Sequence, residues 1–239
     1  MAWQGAILGL CYLLDLRHAW PQMTRLKDSN MAGDPRTSAQ KWDQKYLDAH
    51  GLLYGNNASD YLAFCIDKYN VQAGKAFLPG DGEGRHARYL ARLGFYVVAC
   101  DISEVAVAKA RAQNKHEQLV LGHVVAHGQR PPLAPYSMDL VAVMYVHVPP
   151  EERRLILRAA AHLLKQGGKL IMEGFHPDQV TRLGKGPGRE ELAYDPEILC
   201  MELGDLRMID AQVRQKELHD GTGHQGEAYL TSMFFAKEF

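Results

Sequence analysis

Cysteine is scarce in this chain and never clustered. The 239 residues contain four, Cys11, Cys65, Cys100 and Cys200, with no Cys-x-x-Cys pair. That spacing argues against a disulfide frame or a zinc cluster and fits a reducing, cytoplasmic setting. His-x-x-x-His spacing occurs once, at His123 and His127, outside any helix-period segment, and no metal is expected. Charge of one sign is not in excess: the formal net charge is −1. No global field draws in nucleic acid or an anionic membrane. The arginine groups Arg85, Arg88, Arg92 and Arg153, Arg154, Arg158 fall at helical spacings and read as solvated faces. Nor is there an apolar run of about 20 residues, the length a bilayer demands. Ala2–Leu16 comes nearest, but no basic residue precedes it and Asp15 interrupts it. It reads as an extra N-terminal helix, or as sequence upstream of a true start at Met23 or Met31. Asp28–Ser38 is polar, with Gly33 and Pro35, and reads as a linker. Residues 1–38 are thus set apart as an appendage, and 39–239 as one domain.

Hydrophobic residues make up 46% and charged residues 23%, the balance of a folded globular chain. Its most informative stretch runs from Lys75 to Asp101. A short apolar run, Lys75–Leu78, meets Gly80-Asp81-Gly82-Glu83-Gly84-Arg85. A helix-period segment follows, then a second apolar run, Tyr96–Cys100, ending in Asp101. The order is strand, glycine turn, helix, strand, carboxylate. Glycines allow a backbone to turn sharply and approach a ligand without a Cβ between them. A carboxylate at the tip of the following strand can accept hydrogen bonds from both ribose hydroxyls. The pattern points to an adenosine-containing cofactor. The alternatives are an ordinary strand-to-helix turn for the glycines and a helix cap for Asp101.

The remaining elements alternate. Trp42 and Tyr46, four apart within Lys41–His50, can share a helical face. Asn57 or Ser59 can cap a helix reaching about Tyr69, and Ser103 one through Lys115. Helix Glu83–Leu93 lies between the first two strands. Gln118–Val124, Met138–Val146 and Lys169–Glu173 read as further strands, and Glu151–Leu164 as an amphipathic helix closed by Gln166-Gly167-Gly168. Leu206–Leu218 and Glu227–Lys237 break the alternation and read as an antiparallel hairpin joined by residues 219–226. The expected architecture is α/β: a Rossmann-like, seven-stranded, mostly parallel sheet with a C-terminal antiparallel hairpin and helices on both faces.

From about Trp42 onward the chain resembles the class I S-adenosylmethionine-dependent methyltransferases, and within them the compact branch of tellurite-resistance and thiol or thiopurine enzymes. The resemblance is carried by Trp42…Tyr54-Gly55, Gly80-Asp-Gly-Glu-Gly-Arg85, Ala99-Cys-Asp-Ile-Ser103, His147-Val-Pro149, Glu173-Gly-Phe-His-Pro-Asp-Gln179 and Gly223-His-Gln-Gly226. It implies S-adenosylmethionine as cofactor and S-adenosylhomocysteine as product. Two departures stand out. Leu78 occupies the end of strand one where the family often has an acid, and Asp81 is the expected substitute. His127, after Ala126, stands where the family often uses an Asp to accept from adenine; a neutral imidazole accepts in one tautomer only.

The resemblance places Gly80, Gly82 and Gly84 under the methionine half of the cofactor, Asp101 on the ribose and Ile102 on the adenine face. Ala126, His127 and Tyr145 are further expected cofactor contacts. Arg85 can pair with the cofactor carboxylate, or else with Glu83 or Asp81 at the surface. His147 follows strand four, where the family places residues beside the transferred methyl, and is the catalytic candidate; the alternative is a packing histidine. Trp42, Tyr46, Tyr54, Glu173 and His224 are the expected acceptor contacts, with core packing as the other explanation of the aromatics. The Asp/Asn-Pro-Pro-Tyr turn of adenine and glutamine amino methyltransferases is missing from Met144–Pro150. A small-molecule acceptor is expected, a thiol or another soft chalcogen. The alternatives are a protein or RNA acceptor, or a non-catalytic binder of the cofactor.

Overall fold

The computed structural model describes residues 35–183 and 186–238. Its elements run α1 (Pro35–Asp48), α2 (Asp60–Lys68), β1 (Lys75–Pro79), α3 (Arg85–Arg92), β2 (Tyr96–Asp101), α4 (Glu104–His116), β3 (Gly122–Val125) and β4 (Met138–Met144). There follow α5 (Pro150–Leu163), β5 (Leu164–Phe175), α6 (Asp178–Thr181), a 3-10 turn (Glu190–Leu192), α7 (Pro196–Glu202), β6 (Arg207–Asp220) and β7 (His224–Ala236).

The strands form one sheet in the order β3-β2-β1-β4-β5-β7-β6. β1 to β5 are parallel, and β7 is antiparallel to both β5 and β6. Alternate residues of the central strands point to opposite faces. Phe77, Val141, Val143, Leu170 and Met172 meet Leu157, Ala160 and Leu163 of α5 on one face. Ala76, Leu78, Leu140, Ala142 and Ile171 meet Tyr61 and Leu62 of α2 and Leu90 of α3 on the other. Burial on both faces is why these strands are apolar at nearly every position.

Several boundaries differ from the sequence reading for physical reasons. α1, described from Pro35, includes residues of the expected linker. The segment Ala2–Leu16 and most of the linker lie outside the described residues. Gln118–Leu121 does not pair, and β3 is limited to the four residues that meet β2. β4 stops at Met144 because Tyr145 adopts φ +58°. Gly167-Gly168 does not cap α5. Leu164 is already extended, and the glycines lie within β5, where Gly167 N–H donates to Lys237 O and Lys237 N–H to Gly168 O, each at 2.9 Å. The C-terminal strands run on to Asp220 and from His224, leaving three residues at the hairpin tip.

The arginines also part company with the expected solvated faces. Arg92 remains exposed, but Arg85, Arg88 and Arg153 are buried. Arg88 donates to Asn56 Oδ1 and Glu83 O, and Arg153 forms a two-pronged pair with Glu202. Guanidinium groups with several donors in a fixed plane can be satisfied inside a fold in this way.

Candidate functional site

A cleft of about 620 Å³ opens at the carboxyl ends of the parallel strands, where ligands of open α/β sheets bind. One wall is the glycine turn. Gly80 and Gly82 have φ +65° and +56°, which glycine adopts without strain. A Cβ on Gly80 would come within 2.9 Å of Val146 Cγ2, and one on Gly82 would run into the Tyr46 hydroxyl. Asp101 joins this turn to the next strand tip: Oδ2 accepts from Gly82 N–H and Oδ1 from Ser103 N–H, both at 2.9 Å. Each oxygen keeps a further lone pair. Burial pushes the Asp101 carboxyl up to about 6, against the pull of the Ser103 and Gly82 amides. Ile102 and Ala126 line the cleft beside it.

Asp81 lies under the turn. His86 Nδ1–H donates to its Oδ1 at 3.1 Å, and Ala87 N–H to Oδ2 at 3.2 Å. His123 Nε2 stands 3.6 Å from Oδ2, beyond hydrogen-bond length. Burial by itself would raise this carboxyl; the His123 and His86 imidazoles overcome it and hold the group well below the usual range. Asp81 is therefore an anion that anchors the turn.

Arg85, at the start of α3, borders the cleft. Its partner is neither Glu83 nor Asp81 but Asp220 at the end of β6, at 2.9 Å. The same Nη1 reaches Tyr54 O at 3.1 Å. Glu83, expected only as a surface partner of Arg85, is buried, accepts from Leu53 N–H at 2.7 Å and pairs with Lys109 at 3.1 Å. Lys109 in turn donates to Tyr46 O and Gly51 O. These bonds fasten α1 and the loop after it onto the glycine turn. No spacing rule could have paired Glu83 with Lys109, because the contact needs α4 folded beside α1.

Across from the turn, Tyr54, Tyr145, Phe175 and His224 form an aromatic cluster. The His224 ring lies 4.4 Å from Tyr54, 4.7 Å from Tyr145 and 5.2 Å from Phe175, centroid to centroid. Trp42 and Tyr46 extend it, at 5.9 Å from each other and 6.3 Å from Tyr46 to Tyr54. Lys45 donates to the Tyr54 hydroxyl at 2.8 Å at the solvent edge. The hairpin tip makes the approach possible: Gly223 N–H donates to Leu53 O at 2.7 Å, and no Cβ would fit at Gly221, φ +58°, against the Leu53 carbonyl.

Three expected residues stand elsewhere. Glu173 does not line the cleft. It is buried beneath it and accepts from Ser59 and Tyr145 hydroxyls on Oε1 (2.6 and 2.8 Å) and from Ser232 and Arg214 on Oε2 (2.7 Å each). Burial would raise this carboxyl, but Arg214 and the Ser59 and Ser232 hydroxyls hold it low. Its coordination is full, so it supports Tyr145 and leaves no oxygen for an acceptor. His127 is exposed and is not among the residues lining the cleft; Gly128 borders it instead. Gly84, φ +86°, packs under His123 and Arg88 at the start of α3 and serves the helix start.

His147 borders the cleft, yet both of its nitrogens are engaged. Nδ1–H donates to Leu192 O at 2.9 Å, and Nε2 accepts from Phe175 N–H at 3.3 Å. Burial pushes this imidazole down to about 4. A neutral ring held at both ends by backbone has no lone pair for proton transfer. It ties the 3-10 turn to the end of β5 and presents its face to Phe175, 5.3 Å away. Among the described residues, no group of three or more His, Cys, Asp or Glu could hold a metal ion, and no helix is long and apolar enough to cross a membrane.

Residues 79–168 match the family model described as a methyltransferase domain. No curated protein sequence matches the chain significantly. Solved structures with the same fold include one from work on the conversion of a disulfide bond into a thioacetal group during echinomycin biosynthesis. It has a TM-score of 0.69 and 16% identity over 84% of this chain and 92% of that one. Magnesium protoporphyrin IX methyltransferase (ChlM) from Synechocystis PCC 6803, with bound SAM, superposes with a TM-score of 0.65 and 16% identity, over 88% and 100% of the two chains. TehB from Haemophilus influenzae gives a TM-score of 0.61 and 18% identity, over 75% of this chain and 62% of TehB. At these identities the likeness is one of fold.

Proposed function

We propose that this chain carries a class I S-adenosylmethionine-dependent methyltransferase domain, that its cleft methylates a small molecule and that the acceptor is a thiol or related soft chalcogen. The observation that carries the reading is the union of the Gly80–Gly82 turn with Asp101 on one side of the cleft and the aromatic cluster on the other. The residues fit the nucleoside. The turn has no room for side chains, Asp101 keeps acceptor capacity for two ribose hydroxyls, and Ile102 with Ala126 offers an apolar flank to adenine. Arg85 borders the same space and suits a carboxylate. When bound, the cofactor supplies an activated methyl group.

The protein's part is to orient and to exclude water. Holding reactants in line can contribute about 7–11 kcal/mol. Thiols suit this site because they ionise near 8.5 and need little activation. Tyr54, Tyr145 and Phe175 provide polarizable faces around sulfur, in line with known sulfur–aromatic contacts. One fold neighbour is tied to sulfur chemistry, the formation of a thioacetal from a disulfide.

Calorimetry with S-adenosylmethionine and S-adenosylhomocysteine, followed by radiolabel transfer to thiols, thiopurines, selenite and tellurite, tests the reading. Binding of both cofactor forms and label on a sulfur acceptor are the expected results. Binding without transfer to any of these would replace the enzyme reading by that of a cofactor-binding protein, and label on a protein or RNA would replace the small molecule.

A further inference from the structure

Among the described residues, His224 and His86 are the two side chains lining the cleft that keep a buried nitrogen without a hydrogen-bond partner, and His224 is the one at the hairpin tip. Its Nδ1 is buried without a hydrogen-bond partner, 4.0 Å from Asp220 Oδ2. His224 lines the cleft, and Nε2 has no hydrogen-bond partner among the described residues. Leaving a buried donor or acceptor unpaired costs about 1–3 kcal/mol, and such positions call for an explanation in function. The Asp220 oxygen that His224 lacks is the one held by Arg85 at 2.9 Å. Asp220 and His224 face each other across the hairpin tip as the last pair of the β6–β7 ladder, so the approach requires only a side-chain movement.

We propose that His224 is the proton acceptor of the methyl transfer and that cofactor binding brings it into use by releasing Asp220 from Arg85. This rests on the reading above, in which Arg85 meets the carboxylate of the cofactor. With that carboxylate on Arg85, Asp220 is free to accept from His224 Nδ1–H. The tautomer is then fixed, Nε2 carries the lone pair toward the acceptor, and Asp220 stabilises the imidazolium that forms. The proton leaves the acceptor thiol for Nε2 and the sulfur lone pair forms the bond to the methyl carbon. The electron pair of the breaking carbon–sulfonium bond stays with the departing sulfur. The imidazolium then returns its proton to solvent. His147 cannot substitute, because both of its nitrogens are held by backbone.

The charges around the ring agree. From α3 Arg85 and His86, from α1 Lys45, after β4 His147, and on β6 Asp220 face it, beside the Tyr54 and Tyr145 rings. With Arg85 uncompensated by a ligand, burial first and the Arg85 guanidinium next hold the imidazole far below its ordinary value, unable to take a proton. A ligand carboxylate on Arg85 and a contact to Asp220 act in the opposite direction. In this arrangement His224 is the catalytic residue and Asp220 its positioning residue.

The test follows the His224 ring by NMR in the full chain, with the resonance assigned from its loss in His224→Gln. Titrations are run alone, with S-adenosylhomocysteine, and with 5′-methylthioadenosine, which has the nucleoside thioether but no carboxylate. The expected result is an upward shift of the His224 midpoint by several pH units, to near the ordinary imidazole value, with S-adenosylhomocysteine. Methylthioadenosine gives no such shift, and Asp220→Asn removes it. An unchanged midpoint in a complex whose formation calorimetry verifies, or an equal shift with methylthioadenosine, overturns the proposal. No binding heat with S-adenosylhomocysteine instead sinks the cofactor reading beneath it.

Discussion

Asp101 and Glu173 are two buried carboxylates whose surroundings drive them in opposite directions. Asp101 is held by two backbone amides and faces no cation at close range, so burial dominates and its value rises to about 6. In the proposed ribose contact it accepts best as the anion, so cofactor affinity should be level above pH 7 and weaken as pH falls through 6. The loss should be about tenfold at pH 5. Asp101→Ala should cost about 1–3 kcal/mol of binding and flatten that profile. Calorimetry across the range checks both, and a flat wild-type profile would remove Asp101 from the ribose. Glu173 has Arg214 at 2.7 Å and three hydroxyl donors, and its value is lowered. Its folded value lies below the unfolded one, so its contribution to stability is complete above the unfolded carboxyl range near 4.3 and is lost as pH falls through the folded value. Glu173→Ala leaves Arg214 without its counter-ion, and denaturant unfolding at pH 7 should show a loss of about 3 kcal/mol. An unchanged midpoint would mean that the buried hub is not a stabilising one.

The elements around the cleft depend on one another through close approach. The turn after β1 is glycine at position 82 because the Tyr46 hydroxyl of α1 occupies the space a side chain would need. Gly82→Ala would add left-handed strain of about 1–2 kcal/mol and push α1 outward. Cofactor affinity should fall at least tenfold, and Gly82→Ala with Tyr46→Phe should recover part of the loss by removing the clashing oxygen. Equal affinities for the two variants would show that α1 does not cover the cofactor. The turn itself was legible in sequence, since its signal is local: an apolar strand, three glycines, an acid after the next strand. The role of α1 was legible only as a Trp42–Tyr46 face, because the sequence does not say what that face meets. Glycines misled at Gly167-Gly168, which have the composition of a helix cap but lie inside β5. What decided between the two was the availability of Lys237, far along the chain, as a backbone partner.

In the whole molecule, β7 enters antiparallel between β5 and β6 and supplies Met233, Phe234 and Phe235 to the cores on both faces of the sheet. A chain ending at residue 205 should lose cooperative unfolding, because the β5 edge and both cores would face water. Circular dichroism melting of that truncation checks it, and a sharp transition near that of the full chain would contradict it. The sequence by itself determined the alternation of strands and helices, the terminal hairpin and the strand-tip carboxylate. Each rests on periodicity or on neighbours within a few residues. Only the tertiary structure decided which polar side chains remain available. Glu173 and His147 stand at plausible positions after their strands, yet distant backbone and side-chain groups have taken up their hydrogen-bonding capacity. His224 Nδ1 stands 4.0 Å from Asp220 Oδ2, an oxygen that the fold has set against Arg85 at 2.9 Å. Satisfaction of a buried polar group is settled by whatever the fold brings within about 3 Å, and residue order along the chain does not carry that information.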